Sequence, residues 1–173
     1  DRRIEVINKS KRRAMDLFRQ AENLVYRYAE LIDEGDFDGL GALFAHANIH
    51  FVPGGLSLRG ASEVTDFYQK TVIVDASSGT PGTTHWTSNV IVQGDSQGLL
   101  ARSRYQVTLN AGDVAPLLIA TGRYFDHFIV EEGRVHFSQR RIISEYMGDT
   151  TGHLHQRFSI TAANRPHHDL SQL

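Results

Sequence analysis

The sequence predicts an α+β fold: a cone-shaped, curved antiparallel (mixed) sheet with three helices packed on its concave side around a pocket. Two observations predict it. Up to about residue 74, apolar residues recur at spacings of three and four, the helical period. After a loop of small and turn-forming residues at 75–83 the period changes to two and holds to about residue 146. Long strands covered by few helices curl, and a curled sheet capped by helices leaves a cavity open at one end.

The first 13 residues carry six basic side chains: Arg2, Arg3, Lys9, Lys11, Arg12 and Arg13. They read as the solvated start of the first helix rather than as an anion-binding patch. From Arg13 to Asp33, Ala14, Leu17, Phe18, Ala21, Leu24, Val25, Tyr28, Leu31 and Ile32 form one apolar stripe. Gly35 supplies the stop, and Asp36 is placed to cap a short second helix whose buried side is Leu40, Leu43 and Phe44. A first strand is expected at Ile49–Val52, then a turn at Pro53-Gly54-Gly55. A third helix is expected at Ser62–Val74, with Val64, Phe67, Tyr68 and Thr71 on its inner face. Four strands follow, at Thr84–Val92, Leu99–Asn110, Pro116–Val130 and Arg134–Tyr146, the last two joined at Glu132-Gly133. Alternation is clearest where Ala101, Ser103, Tyr105, Val107 and Leu109 share one face and Arg102, Arg104, Gln106, Thr108 and Asn110 the other. Residues 1–147 read as one domain and 148–173 as a polar tail.

Composition narrows the function. The chain has 173 residues and a net charge of -2, so nothing points to nucleic acid. It has no cysteine, which excludes disulfides, thiolate metal sites and cysteine nucleophiles. No apolar run is long enough to span a bilayer, and no signal-peptide core is visible, so a cytoplasmic protein without a membrane partner is expected. Nine histidines raise the question of a metal. His46 and His50 straddle a helix end and a strand start. His153 and His155 lie on the tail, and His167-His168 near its end. None has a carboxylate at ligand spacing, so no metal and no cofactor are expected.

Several segments resemble the SnoaL-like family of the nuclear transport factor 2-like superfamily. They are Tyr26 to Asp38 with Leu43-Phe44, Thr84-His85-Trp86-Thr87-Ser88-Asn89, Gly122-Arg123-Tyr124-Phe125-Asp126, and Gly133 to Ile142. In the last of these, Val135 stands where the family usually has tryptophan. The resemblance covers about residues 14–147 and is specific for fold, not for reaction. The superfamily includes scytalone dehydratase, bile acid 7α-dehydratase, dehydrochlorinase, ketosteroid isomerase, polyketide cyclases and the small subunits of ring-hydroxylating dioxygenases.

What the resemblance implies for the site is an aspartate ending the first helix paired with a histidine on the strand after the long loop: Asp33 and His85. The bile acid dehydratase group adds a tyrosine matching Tyr28. Scytalone dehydratase has tyrosines where this chain has Ile32 and Phe51, so scytalone itself is not the expected substrate. The pairing also has a physical case. Asp33 ends a helix at the negative end of its dipole, and an imidazolium offsets that cost. A carboxylate on one ring nitrogen leaves the other as a base. From spacing alone, Asp33 reads better as a turn residue and His85 as a core histidine; the resemblance reverses that reading.

Candidate substrate contacts are Asn89, which shares strand parity with His85, together with Tyr105, Phe51, Tyr124 and Asp126. Tyr124 and Asp126 share one strand face and Arg123 and His127 the other, and parity does not say which faces the pocket. Arg140 reads as a structural ion-pair partner. The expected function is a cofactor-independent lyase of dehydratase type, or an isomerase or cyclase, acting on a small hydrophobic cyclic substrate. The alternative is a ligand-binding protein or a dioxygenase small subunit. The polar outer strand faces imply a homo-oligomer, trimer or dimer, and the tail around His153 to Ile160 is expected to cross the pocket mouth or a neighbouring subunit.

Overall fold

The fold is taken from a computed structural model, which describes residues 2–94, 98–110, 112, 115–156 and 160. Three helices, α1 (Arg2–Glu34), α2 (Phe37–Leu43) and α3 (Gly60–Thr71), pack against one mixed sheet. Its strands are β1 (Asn48–Val52), β2 (Ser57–Arg59), β3 (Thr83–Gly94), β4 (Leu99–Leu109), β5 (Leu117–Glu131) and β6 (Arg134–Met147). The spatial order is β2-β1-β6-β5-β4-β3. All pairings are antiparallel except β1 with β6, which run parallel. The sheet is curved and does not close.

Two elements differ from the sequence reading. The α3 helix ends at Thr71, before the expected Val74. The α1 helix begins at Arg2, and its early turns, expected as a solvated start, leave Ile4 and Ile7 exposed. The three-residue β2 strand was not expected; it is too short to carry a period, and Leu58 alone is buried in it.

The α1 stripe is the floor of the core: Ala21, Val25, Tyr28, Leu31 and Ile32 are buried against the sheet. The helix ends where Gly35 turns at φ 73°, with Gly35 N–H on the Ile32 carbonyl and Asp36 N–H on the Leu31 carbonyl. This paired bonding satisfies the last carbonyls and needs a residue that tolerates the left-handed region. A side chain at Gly35 would also crowd the Gly79 carbonyl and Pro81, so the 75–83 loop rests on this turn. Asp36 then caps α2 by accepting from Gly39 N–H. The same turn fixes the position of Asp33 at the mouth of the sheet.

Past Met147 the chain stays packed. Gly148 N–H donates to the Ile119 carbonyl, Ile73 N–H to the His153 carbonyl, and His155 N–H to the Thr71 carbonyl. Leu154 and Val72 form a bridge. Residues 148–155 are thus a strap tied to the end of α3, and Thr150, His153, Leu154 and Ile160 line the cavity mouth. Residues 157–159 of the expected mouth segment, and His167-His168, lie outside the described residues. Among the described residues, no helix is long and apolar enough to cross a membrane.

Candidate active site

A cavity of about 330 Å³ opens between the concave face of the sheet, α1, α3 and the strap. Its walls are mainly apolar and aromatic. From α1 come Tyr28 and Ile32, from α3 Phe67, Tyr68 and Thr71, and from the first strand and its turn Phe51 and Leu56. The sheet adds His85, Tyr105, Val107, Ile119, Tyr124, Ile142 and Ser144.

Asp33 and His85 meet at its edge. The Asp33 carboxylate takes three hydrogen bonds from the start of β3: Thr83 Oγ1 at 2.8 Å, His85 N–H at 2.7 Å and His85 Nδ1 at 2.6 Å. These donors hold a carboxylate at a helix C-terminus, where the dipole disfavours it. They also aim the imidazole. With the Nδ1 proton directed at Asp33, Nε2 carries the free lone pair. The His85 side chain is 7% exposed, so that lone pair belongs to the cavity wall.

Tyr28 lies in the same wall, its hydroxyl 2.7 Å from that of Tyr68. Burial pushes both hydroxyls above the usual phenol range. For Tyr28 the Arg140 cation and the bond from Tyr68 pull back the other way, whereas the same bond raises Tyr68 further. Either hydroxyl can donate in this bond, and the Arg140 cation against the Tyr28 ring favours Tyr28 as the more acidic of the two. Tyr105 and Tyr124 stack at 4.5 Å, and the Tyr105 hydroxyl meets Ser144 Oγ at 3.0 Å. Gly122 makes this possible: a Cβ there would lie 2.7 Å from the Tyr105 ring and 2.1 Å from the Ile143 carbonyl oxygen.

Two candidate contacts do not reach the cavity. Asp126 faces inward, as Tyr124 does, but binds Arg140 through two bonds of 2.7 and 2.8 Å, and neither side chain is exposed. The guanidinium is wrapped by Tyr28, Phe44, Tyr124 and Phe137, which close the layer between Asp126 and the cavity. Burial raises the Asp126 pKa and Arg140 opposes it. Burial alone would lower the Arg140 pKa, and Asp126 outweighs it, so the pair stays ionised. Asn89 points the other way. The β3–β4 register gains one residue between Ser88 and Ile91, and Asn89 sits in that bulge at φ 53°. The extra residue inverts the parity beyond it. Asn89 is exposed on the outer face, in a shallow groove with Arg102, Arg104, Arg123 and Phe125.

Three further groups of the site had no role assigned in it from sequence. Thr83, two residues before His85, shares its parity. Tyr68 belongs to the predicted inner face of α3, and its role depends on meeting Tyr28. His153 arrives on the strap, whose polar sequence has no period. It is 7% exposed, and burial, then the neighbouring His85, lower its pKa to about 4, with Asp33 opposing. Of the other histidines, His50 Nδ1 meets Ser57 Oγ at 2.7 Å and His46 packs edge-on to His136. Among the described residues no cluster of three His, Asp or Glu is arranged to hold a metal ion.

Residues 14–141 match the sequence profile of the SnoaL-like domain. No curated protein matches the chain. Solved structures with the same fold include a proposed scytalone dehydratase from Novosphingobium aromaticivorans, with 16% identity over 91% of this chain and 99% of that one and a TM-score of 0.65. ActVI-ORFA from Streptomyces coelicolor has 16% identity over 75% and 98%, at a TM-score of 0.62. The beta subunit of a proposed aromatic-ring-hydroxylating dioxygenase from N. aromaticivorans has 14% identity over 78% and 93%, also at 0.62. At these identities the likeness is one of fold.

Proposed function

This chain belongs to the SnoaL-like domain family, and from that premise we propose that it is a cofactor-independent lyase of dehydratase type, or an isomerase or cyclase, for a small hydrophobic cyclic substrate. The observation that carries the reading is the 2.6 Å bond between Asp33 and His85 Nδ1 beside an apolar cavity. His85 Nε2 removes a proton from a carbon next to a carbonyl or activated ring. The electron pair moves onto the substrate oxygen, and Asp33 stabilises the imidazolium. In a dehydration the pair then returns to expel hydroxide, which takes the Tyr28 proton and leaves as water. Isomerisation uses the same base and returns the proton to another carbon. A dioxygenase beta subunit is among the structures of similar fold, yet a partner subunit has no need of an aimed imidazole in its cavity, which favours catalysis.

Turnover of nitrobenzisoxazole, a carbon acid that opens to a coloured nitrophenolate when a base removes its one acidic proton, tests the reading without knowledge of the natural substrate. The protein is expected to exceed an equal concentration of free imidazole, and His85→Gln to abolish the excess. No excess in the wild-type protein would overturn it.

Assembly into a homodimer or trimer is part of the same proposal. Trp86 is 60% exposed on the outer sheet face, and Ile91 there is 43% exposed, a poor surface to leave in water. Light scattering should give a multiple of the 19.4 kDa chain mass; the monomer mass alone would refute this.

A further inference from the structure

The strap carries a polar group that the fold does not use. The His153 ring is buried at the cavity, and its Nδ1 has no hydrogen-bond partner among the described residues. Leaving a buried ring nitrogen unsatisfied is destabilising and gives the fold nothing back. Its placement, in contrast, is specified closely. Hydrogen bonds from Ile73 N–H and to Thr150 fix the backbone at residue 153, and the neighbouring Leu154 is bridged to Val72.

Several other polar groups of the wall have internal partners: His85 Nδ1 with Asp33, Tyr28 with Tyr68, Tyr105 with Ser144. We infer that His153 is a second catalytic histidine, a neutral imidazole whose ring N–H binds the substrate oxygen on which charge develops while His85 removes the proton. This rests on the proposed function and extends it: the substrate carries a carbonyl or hydroxyl oxygen within reach of both histidines.

The two rings divide the work by their surroundings. His85 has the Asp33 carboxylate, which favours a cation once the proton is taken. His153 has no carboxylate bonded to it, and burial keeps it neutral, with His85 adding a repulsion once that ring has taken the proton. A neutral ring N–H stabilises an enolate or phenolate oxygen without giving up its proton. It resembles an oxyanion-hole donor, worth most in a site closed to water.

The test uses naphthol and naphthalene as probes of equal shape, with binding followed by fluorescence titration. Wild-type protein is expected to prefer naphthol. His153→Phe should lower that preference about 10-fold while leaving naphthalene affinity unchanged, and His153→Gln, which keeps a donor, should restore part of it. Thermal unfolding of both variants checks that the strap stays docked. Equal loss for both probes, or no change in preference, overturns the inference. Nitrobenzisoxazole turnover separates it from the proposed function. A protein that fails to turn that probe over, yet loses naphthol preference in His153→Phe, keeps its oxygen-binding histidine and lacks the base.

Discussion

The guanidinium carbon of Arg140 lies 4.3 Å from the centroid of the Tyr28 ring. A buried cation and a tyrosine of the cavity wall are therefore in contact, and the Asp126–Arg140 pair, though outside the cavity, acts on it. Replacing Arg140 with Met leaves the Asp126 carboxylate buried and unpaired. A loss of about 3–5 kcal/mol in urea unfolding is expected. Asp126→Asn with Arg140→Met should lose less than Arg140→Met alone. If the double variant is worse, the carboxylate is not what makes the single one costly.

Asp33→Asn keeps the shape of the dyad and removes its charge. Turnover of nitrobenzisoxazole should fall about 10²-fold or more, and His85→Gln should fall by about 10²–10⁴, the usual worth of a positioned base. The double variant should be no worse than His85→Gln, because Asp33 acts through His85. Additive losses would mean that Asp33 touches the substrate by itself.

For the tyrosine pair, stability and activity part company. Tyr28→Phe leaves the Tyr68 hydroxyl without its partner in a buried site, at a cost of about 1–2 kcal/mol, whereas replacing both tyrosines is expected to be closer to neutral. In a dehydration assay Tyr28→Phe should be the slower of the two single variants, since Tyr68 only supports the acid. The reverse order would assign the proton to Tyr68.

His153 makes the strap sensitive to acid. Its folded pKa is about 4, below the 6.5 of a free histidine. Between those values the unfolded chain binds a proton that the folded one refuses, so stability is complete above pH 6.5 and falls as pH drops toward 4. From pH 7 to 5 the loss should be about 2 kcal/mol larger in wild-type protein than in His153→Gln. Parallel curves for the two proteins in urea unfolding would show that the ring titrates normally.

Much of this was legible because it is periodic. Val25, Tyr28, Leu31 and Ile32 stand on one helical stripe, and the long strands alternate, so the α1 floor and the β3–β6 run could be read directly. Asp33 and His85 came from the resemblance, since an aspartate before a glycine turn and a histidine after a loop look ordinary alone. What stayed hidden depends on contacts between segments. Asn89 was misplaced because a bulge is set by how β3 meets β4, not by its own residues. Asp126 was taken for a cavity group because its partner, Arg140, lies on another strand. The tail around His153 was expected at the pocket mouth, and His153 lines the cavity; the backbone bonds that hold it there, from Ile73 N–H to the His153 carbonyl and from His155 N–H to Thr71, follow no side-chain pattern.

The parallel pairing of Asn48 with Gln139 has a consequence for the order in which the molecule assembles. The run β3–β6 joins neighbours along the chain, while docking of β1, and with it the first helix, closes the longest loop in the fold. Loop closure is the slow and entropically costly step, so the expected sequence is hairpins first and helix docking last. His85 lies on the early part and Asp33 on the late one. Catalytic competence should then appear only with the final folding phase, after most strand amides are already protected in pulse-labelled hydrogen exchange. Competence before protection of β1 would reverse that order.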